Sequence, residues 1–94
     1  MIVGNVVGSV WSTRKHEQLN GLKFLVVSPL YAKDMSSTFV AADIAGAGTG
    51  DTVLVTRGSG ARAAFNGEVK PVDSVIVGVI DSVEINESFI EGGS

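Results

Sequence analysis

The sequence has no cysteine among its 94 residues, two prolines, one tryptophan and one tyrosine. Without cysteine there is neither a disulfide framework nor a thiolate metal site, and a reducing cytoplasm is the expected compartment. Charge is scarce as well. Lys, Arg, Asp and Glu make up 18% of the chain, against roughly 25% in an average soluble domain. The net charge of -3 disfavours a polyanion partner, whose affinity would rest largely on Lys and Arg. Long hydrophobic runs are missing too. The longest candidate, residues 75–80, falls far short of the roughly 18 apolar residues of a spanning helix, so no membrane span is expected. Residues 1–10 carry neither a basic start nor a small-residue cleavage site, so no signal peptide is expected.

What is abundant is Val, with 15 copies against six Ile and five Leu. β-Branched side chains fit a pleated, half-buried surface better than a helix, and this is an all-β composition. The 12 Gly are spread between apolar runs, as turns and bulges are. The pattern predicts strands at residues 2–12, 22–28, 38–44, 52–56 and 75–85, the second stopping before Pro29, which cannot donate to a ladder. In the first strand Ile2, Val6 and Val10 fall on one face and Val3, Val7 and Trp11 on the other. One or two helical turns fit around residues 61–65, ended by the Asn66-Gly67 turn signal. Five strands and one short helix in a single domain of residues 1–90 suit a small, five-stranded, OB-like β-barrel, with residues 91–94 as a flexible tail. The fifth strand is apolar on both faces in its first half, so one face is expected to meet another subunit.

Several segments imitate known chemistry. Gly58-Ser59-Gly60-Ala61-Arg62-Ala63 fits a dinucleotide-binding fingerprint with Asp81 beyond it, but the alternation of strands and helices that such a site requires is missing. The GAGTGD segment at residues 46–51 lacks the Lys-Ser/Thr pair of a phosphate loop. His16 is the lone imidazole and stands in a charged loop. Asp43, Asp51, Asp73 and Asp81 fall at strand ends and turns, where Asp bonds local backbone. No catalytic constellation, cofactor site or metal site is therefore expected. A competing reading is a module binding single-stranded nucleic acid or oligosaccharide, with Trp11, Phe24 and Phe39 as stacking platforms near Arg14, Lys15 and Lys23. Against it, these aromatics also read as core.

Taken together, GSVWSTRK at residues 8–15, LNGLKFL at 19–25, ADIAGAGTGD at 42–51, VLV at 53–55, GSGAR at 58–62, PVD at 71–73 and VIVGVID at 75–81 resemble the bacterial microcompartment vertex family of EutN/CcmL-like shell proteins. The order and spacing of these segments make the match specific. The resemblance implies a non-enzymatic shell component, a pentamer that caps the vertices of a polyhedral protein shell around metabolic enzymes. It would lie in the cytoplasm beside hexameric shell proteins, without nucleic acid or membrane partners. The resemblance also places Gly46, Ala47, Gly48, Gly58, Ser59, Gly60, Ala61 and Arg62 at subunit contacts or near the five-fold axis. Gly60 departs from the Ser or Ala usual in the family, and the tail from Glu91 to Ser94 has no counterpart there.

Overall fold

The computed structural model describes residues 1–11, 21–30, 37–65 and 72–81, with the backbone alone at Arg62 and Ala63. Five strands, β1 (Ile2–Val10), β2 (Lys23–Pro29), β3 (Phe39–Asp43), β4 (Thr52–Arg57) and β5 (Ser74–Ile80), and one helix, α1 (Ser59–Ala63), follow the expected order. They close into a barrel in the order β1-β2-β3-β5-β4, with β4 returning to pair with β1. Only β3 and β5 run parallel; the other pairs are antiparallel. The seam that closes the barrel is short, with Ala42 paired to Val75 and Asp43 to Ile76, and closure removes the long open edges that invite pairing with other chains.

Most element boundaries differ from the sequence reading by one or two residues, β1 ending at Val10 and β3 spanning Phe39–Asp43 among them. β2 includes Pro29, at its last position opposite Gly4, and the next ladder bond is made by the Leu30 amide to the Val3 carbonyl at 3.0 Å. Pro is tolerated there because it stands at a strand terminus. α1 begins two residues earlier than expected, straight after β4. β5 ends at Ile80; the expected continuation over residues 82–85, the Asn66-Gly67 turn and the tail lie outside the described residues.

The barrel interior is filled by Val6, Leu25, Val27, Ala41, Val53, Val55 and Ile76. One mouth is stoppered by Ala47, which drops in from the loop after β3, and Ile2 and Phe39 pack against the core from other elements. The Arg57 guanidinium lies over the Phe39 ring, 4.4 Å from its centroid, an arrangement that attracts a cation to the ring face.

A second cluster sits on the outside. Ala42 and Val75 on the barrel wall meet Ala61 of α1 and Val72, with Leu22, Phe24, Ala64, Phe65 and Val77 around them. This corrects the expectation for β5 at Val75 and, in part, Val77, which are covered by the chain's own helix; residues 78–80 lie beyond that cover.

Two irregularities set which residues face outward. Val6 pairs with Val27 but Gly8 pairs with Val26, so Val7 is an extra, bulged residue. A bulge of this kind reverses the inward-outward alternation beyond it. Val6 therefore points into the barrel while Val10 points out, and the two do not share a face as strict alternation predicts. A second slip, between Leu54 and Val55, leaves Val77 as the extra residue in β5.

The tightest approach in the barrel is at Gly4, where a Cβ would lie 2.6 Å from Val27 Cγ1 and 2.7 Å from the Ser28 carbonyl oxygen. Backbone cannot yield as a side chain can, so Gly4→Ala should destabilise the barrel by about 1–3 kcal/mol. At Gly8 the nearest atom to such a Cβ is Val26 Cβ at 4.0 Å, and Gly8→Ala should change stability by no more than about 0.5 kcal/mol. Urea midpoints at one fixed protein concentration compare the two; equal midpoints would refute the close-approach argument.

Candidate functional site

The residues singled out by the resemblance fall on two loops, residues 44–51 and the turn leading into α1. The first loop is rich in small residues and is held in shape by two aspartates. The Asp43 carboxylate accepts the Ala45 amide at Oδ1 and the Ala47 amide at Oδ2, both at 2.9 Å. Lys23, its register partner across β2 and β3, places Nζ 3.1 Å from Oδ2 and also donates to the Ala47 carbonyl. The Asp43 side chain is only 2% exposed, so these donors replace the water that a buried carboxylate would otherwise lose.

Asp51 closes the other end of the loop. Its Oδ2 accepts the Gly48 amide at 2.8 Å, and its own amide donates to the Gly48 carbonyl at 3.0 Å. The loop is then stitched to β1 beside the Val7 bulge. There the Val6 amide donates to the Asp51 carbonyl at 2.8 Å, and the Gly50 amide donates to the Val6 carbonyl at 2.9 Å. Gly46 and Gly50 have φ of 81° and 97°, a region that only Gly enters without cost. Both aspartates thus bond local backbone, as their positions at a strand end and a turn predict.

The second loop is a tight turn. Gly58 has φ of 66°, and its amide donates to the Asp73 carbonyl at 2.9 Å. At Gly60 a Cβ would lie 2.8 Å from Thr56 Oγ1, so the Thr56 hydroxyl fills the space where a Ser or Ala would carry its side chain. α1 spans five residues, too few for the long helix of a dinucleotide site, and Asp81 is exposed.

The eight residues are not equivalent. Ala47 and Ala61 turn their methyl groups into the chain's own interior. Gly46, Gly58, Ser59 and Gly60 are exposed and Gly48 is half-buried. Arg62's side chain lies outside the described residues. Nor are the two loops adjacent, because they flank β4 at opposite ends, and six extended residues separate them by about 20 Å. Of the candidate stacking residues, Phe24 and Phe39 pack against the two clusters. Trp11 is 91% exposed. The candidate basic partners Arg14 and Lys15, and His16, lie outside the described residues, and Lys23 is held by Asp43. Beside the clamp a cleft of about 500 Å³ opens between Trp11, Leu22 and Phe24 on one side and Gly48 and Thr49 on the other.

A family model described as "Ethanolamine utilisation protein EutN/carboxysome" matches residues 1–81. The chain belongs to the EutN/CcmL family. It is 43% identical over 86 residues to the bacterial microcompartment shell vertex protein GrpN of Rhodospirillum rubrum, covering 89% of this chain and 97% of that one. It is 45% identical over 85 residues to the carboxysome shell vertex protein CcmL of Thermosynechococcus vestitus, covering 88% and 86% of the two chains. The solved structure of GrpN, described as a pentameric microcompartment shell protein from Rhodospirillum rubrum, superposes with a TM-score of 0.78 at 42% identity, over 90% of this chain and all of that one.

Sequence reasoning placed Asp43 at a strand end but did not find its pairing with Lys23. The available signal was the register itself, because a Lys opening one strand and an Asp closing the next meet only when those strands are paired antiparallel.

Removing the clamp should be costly. Asp43→Ala leaves two loop amides and the Ala47 carbonyl with poorer partners and should destabilise the protein by about 2–4 kcal/mol. Lys23 is half exposed, so Lys23→Ala should cost no more than about half as much. Hydrogen exchange reads the mechanism directly: the Ala45 and Ala47 amides should exchange faster in Asp43→Ala. Unchanged exchange at both would mean that the carboxylate does not hold the loop.

Proposed function

We propose that this protein is a non-enzymatic shell component that assembles as a pentamer and caps the vertices of a bacterial microcompartment, in contact with hexameric shell proteins. The observation that carries this reading is the match to vertex proteins along nearly the whole length of both chains, at 43% identity for GrpN. A fragmentary likeness could reflect a shared barrel alone, whereas this match runs through 89% of this chain and 97% of GrpN.

The physical features of the chain support the same reading. Of the carboxylates that could have served in a reaction, Asp43 has both oxygens and Asp51 has Oδ2 committed to loop amides. In a closed ring every copy is used identically, so contacts must be heterologous, one face of a copy meeting a different face of the next. A surface poor in charge favours such contacts, because like-charged copies can approach with little repulsion. The single-strand-binding alternative keeps only Trp11 of its three platforms, since Phe24 and Phe39 are engaged in packing.

We also propose that the exposed turn Gly58-Ser59-Gly60 lies near the five-fold axis. Native mass spectrometry should find a pentamer at micromolar concentration; a monomer alone would overturn the ring, and a hexamer its stoichiometry. Ser59→Glu tests the turn. A carboxylate in the first turn of a helix suits its dipole, so the fold should tolerate the change. Five copies of it around an axis would repel, although salt screens part of the cost. The ring mass should fall, more at low salt than at high, with an unaltered circular dichroism spectrum. A ring indifferent to Ser59→Glu at every salt concentration would place this turn away from the axis.

A further inference from the structure

The bulge at Val7 has created an apolar face that the two loops do not explain. Beyond it, Gly8 pairs with Val26 and Val26 with Val40, while Val10 pairs with Phe24 and Phe24 with Ala42. These two cross-strand rows run over β1, β2 and β3 on the outside of the barrel, opposite in parity to the buried Leu25, Val27 and Ala41. Phe24 and Ala42 are covered by the outer cluster around α1. Val10 and Val40 are not, and Val40 is 49% exposed. The bulged Val7 stands beside the rows, and Trp11 follows directly on Val10 at the edge of the cleft. No residue in either row is ionisable.

We infer that this stripe of β1–β3 receives the β4–β5 flank of the next copy of the same chain in the ring, with Trp11 buried between them. The inference rests on the ring reading above and adds the faces that meet. Three observations select a second copy. First, the barrel order places β2 across from β4 and β5, and a ring needs two different patches on opposite flanks of one subunit. Second, the opposite flank is apolar as well. Leu54 pairs with Gly78 there, and Ile80, two residues on and of the same parity as Gly78, stands half-buried beside them. Third, one fully exposed Trp and three partly exposed Val offer apolar surface on the order of 400 Å², comparable to the apolar share of one side of a standard interface. The rows themselves carry no charge, and Lys23, which lines the cleft beside Trp11, keeps its Asp43 partner when covered.

A heterologous contact has a signature that a symmetric one lacks. Val40→Lys places an ammonium on the stripe. Gly78→Lys places one on the opposite flank, where a Cβ would meet only Leu54 Cβ, at an ordinary 3.8 Å. Each variant should be a folded monomer by native mass spectrometry and circular dichroism. Mixed in equal amounts they should form a one-to-one dimer and no ring, because the intact flank of the Val40→Lys chain fits the intact stripe of the Gly78→Lys chain. Trp11, the single tryptophan, should emit at shorter wavelength and resist iodide quenching in the wild-type ring, and should lose both properties in either variant alone. If the wild type is a ring and both variants keep its mass, the stripe is not the contact between copies and faces another shell protein or solvent. A mixture that stays monomeric overturns the pairing of these two faces. A wild-type protein that is itself monomeric overturns the ring reading, and this inference with it.

Discussion

The end of the barrel that carries the glycine-rich loop depends on one buried carboxylate. Asp43 is the last residue of β3, and its two oxygens hold the two amides that define the path of the chain over the barrel mouth. Residues 44–51 have little means of ordering themselves: three of the eight are Gly, and Gly loses more conformational freedom on folding than any other residue. The clamp supplies the order from outside the loop, and Lys23 completes it across the sheet. Once the loop is fixed, Ala47 is delivered into the mouth and the Gly50–Asp51 segment is delivered to β1. The same carboxylate therefore governs the core packing at that end and the surface shape above it.

The use of small residues follows from the width of the barrel. Five strands enclose an interior only a few side chains across, so wherever two walls come close one side chain must give way. Gly4 yields to Val27, and Ala41 and Ala47 stand among larger neighbours. Close approach of this kind makes the barrel rigid, because a packed interior shifts between discrete arrangements and does not deform gradually. A rigid barrel suits a protein whose contacts must repeat identically around a ring, where a small angular error in one contact is multiplied before the circle closes.

Much of this was legible in the sequence, and the reasons for the failures are physical. Strand order, strand number and the single short helix follow from β-branched runs punctuated by Gly and Pro, signals that act locally. Asp43 and Asp51 were readable as turn-bonding residues for the same reason. The covering of Val75 by α1 was not legible, because an apolar face looks the same whether a helix or another subunit lies against it. The inward turn of Ala47 and Ala61 was hidden by their size, since a small residue fits a loop surface and a crowded interior equally well. The bulge at Val7 was the most consequential omission. Nothing in GNVVGSV says which Val is the extra one, yet that single residue decides whether Val10 faces the core or the solvent.

Both bulges fall where the function proposed here needs them. Val7 interrupts β1 where the clamped loop is tied to that strand through Val6. Beyond it the wall turns its apolar residues outward. Val77 interrupts β5 where the strand leaves the shelter of α1, and beyond it Gly78 and Ile80 share the outward parity of Leu54 on the opposite flank. In a strictly alternating β1, Val10 would share the inward face of Val6; the bulge turns it outward, onto the same wall as Val40. Each bulge shifts the parity partway along a strand, so a single strand contributes to the core over one half and to an outer apolar surface over the other. The five described strands can in this way supply both a closed core and, on the reading proposed above, two apolar flanks.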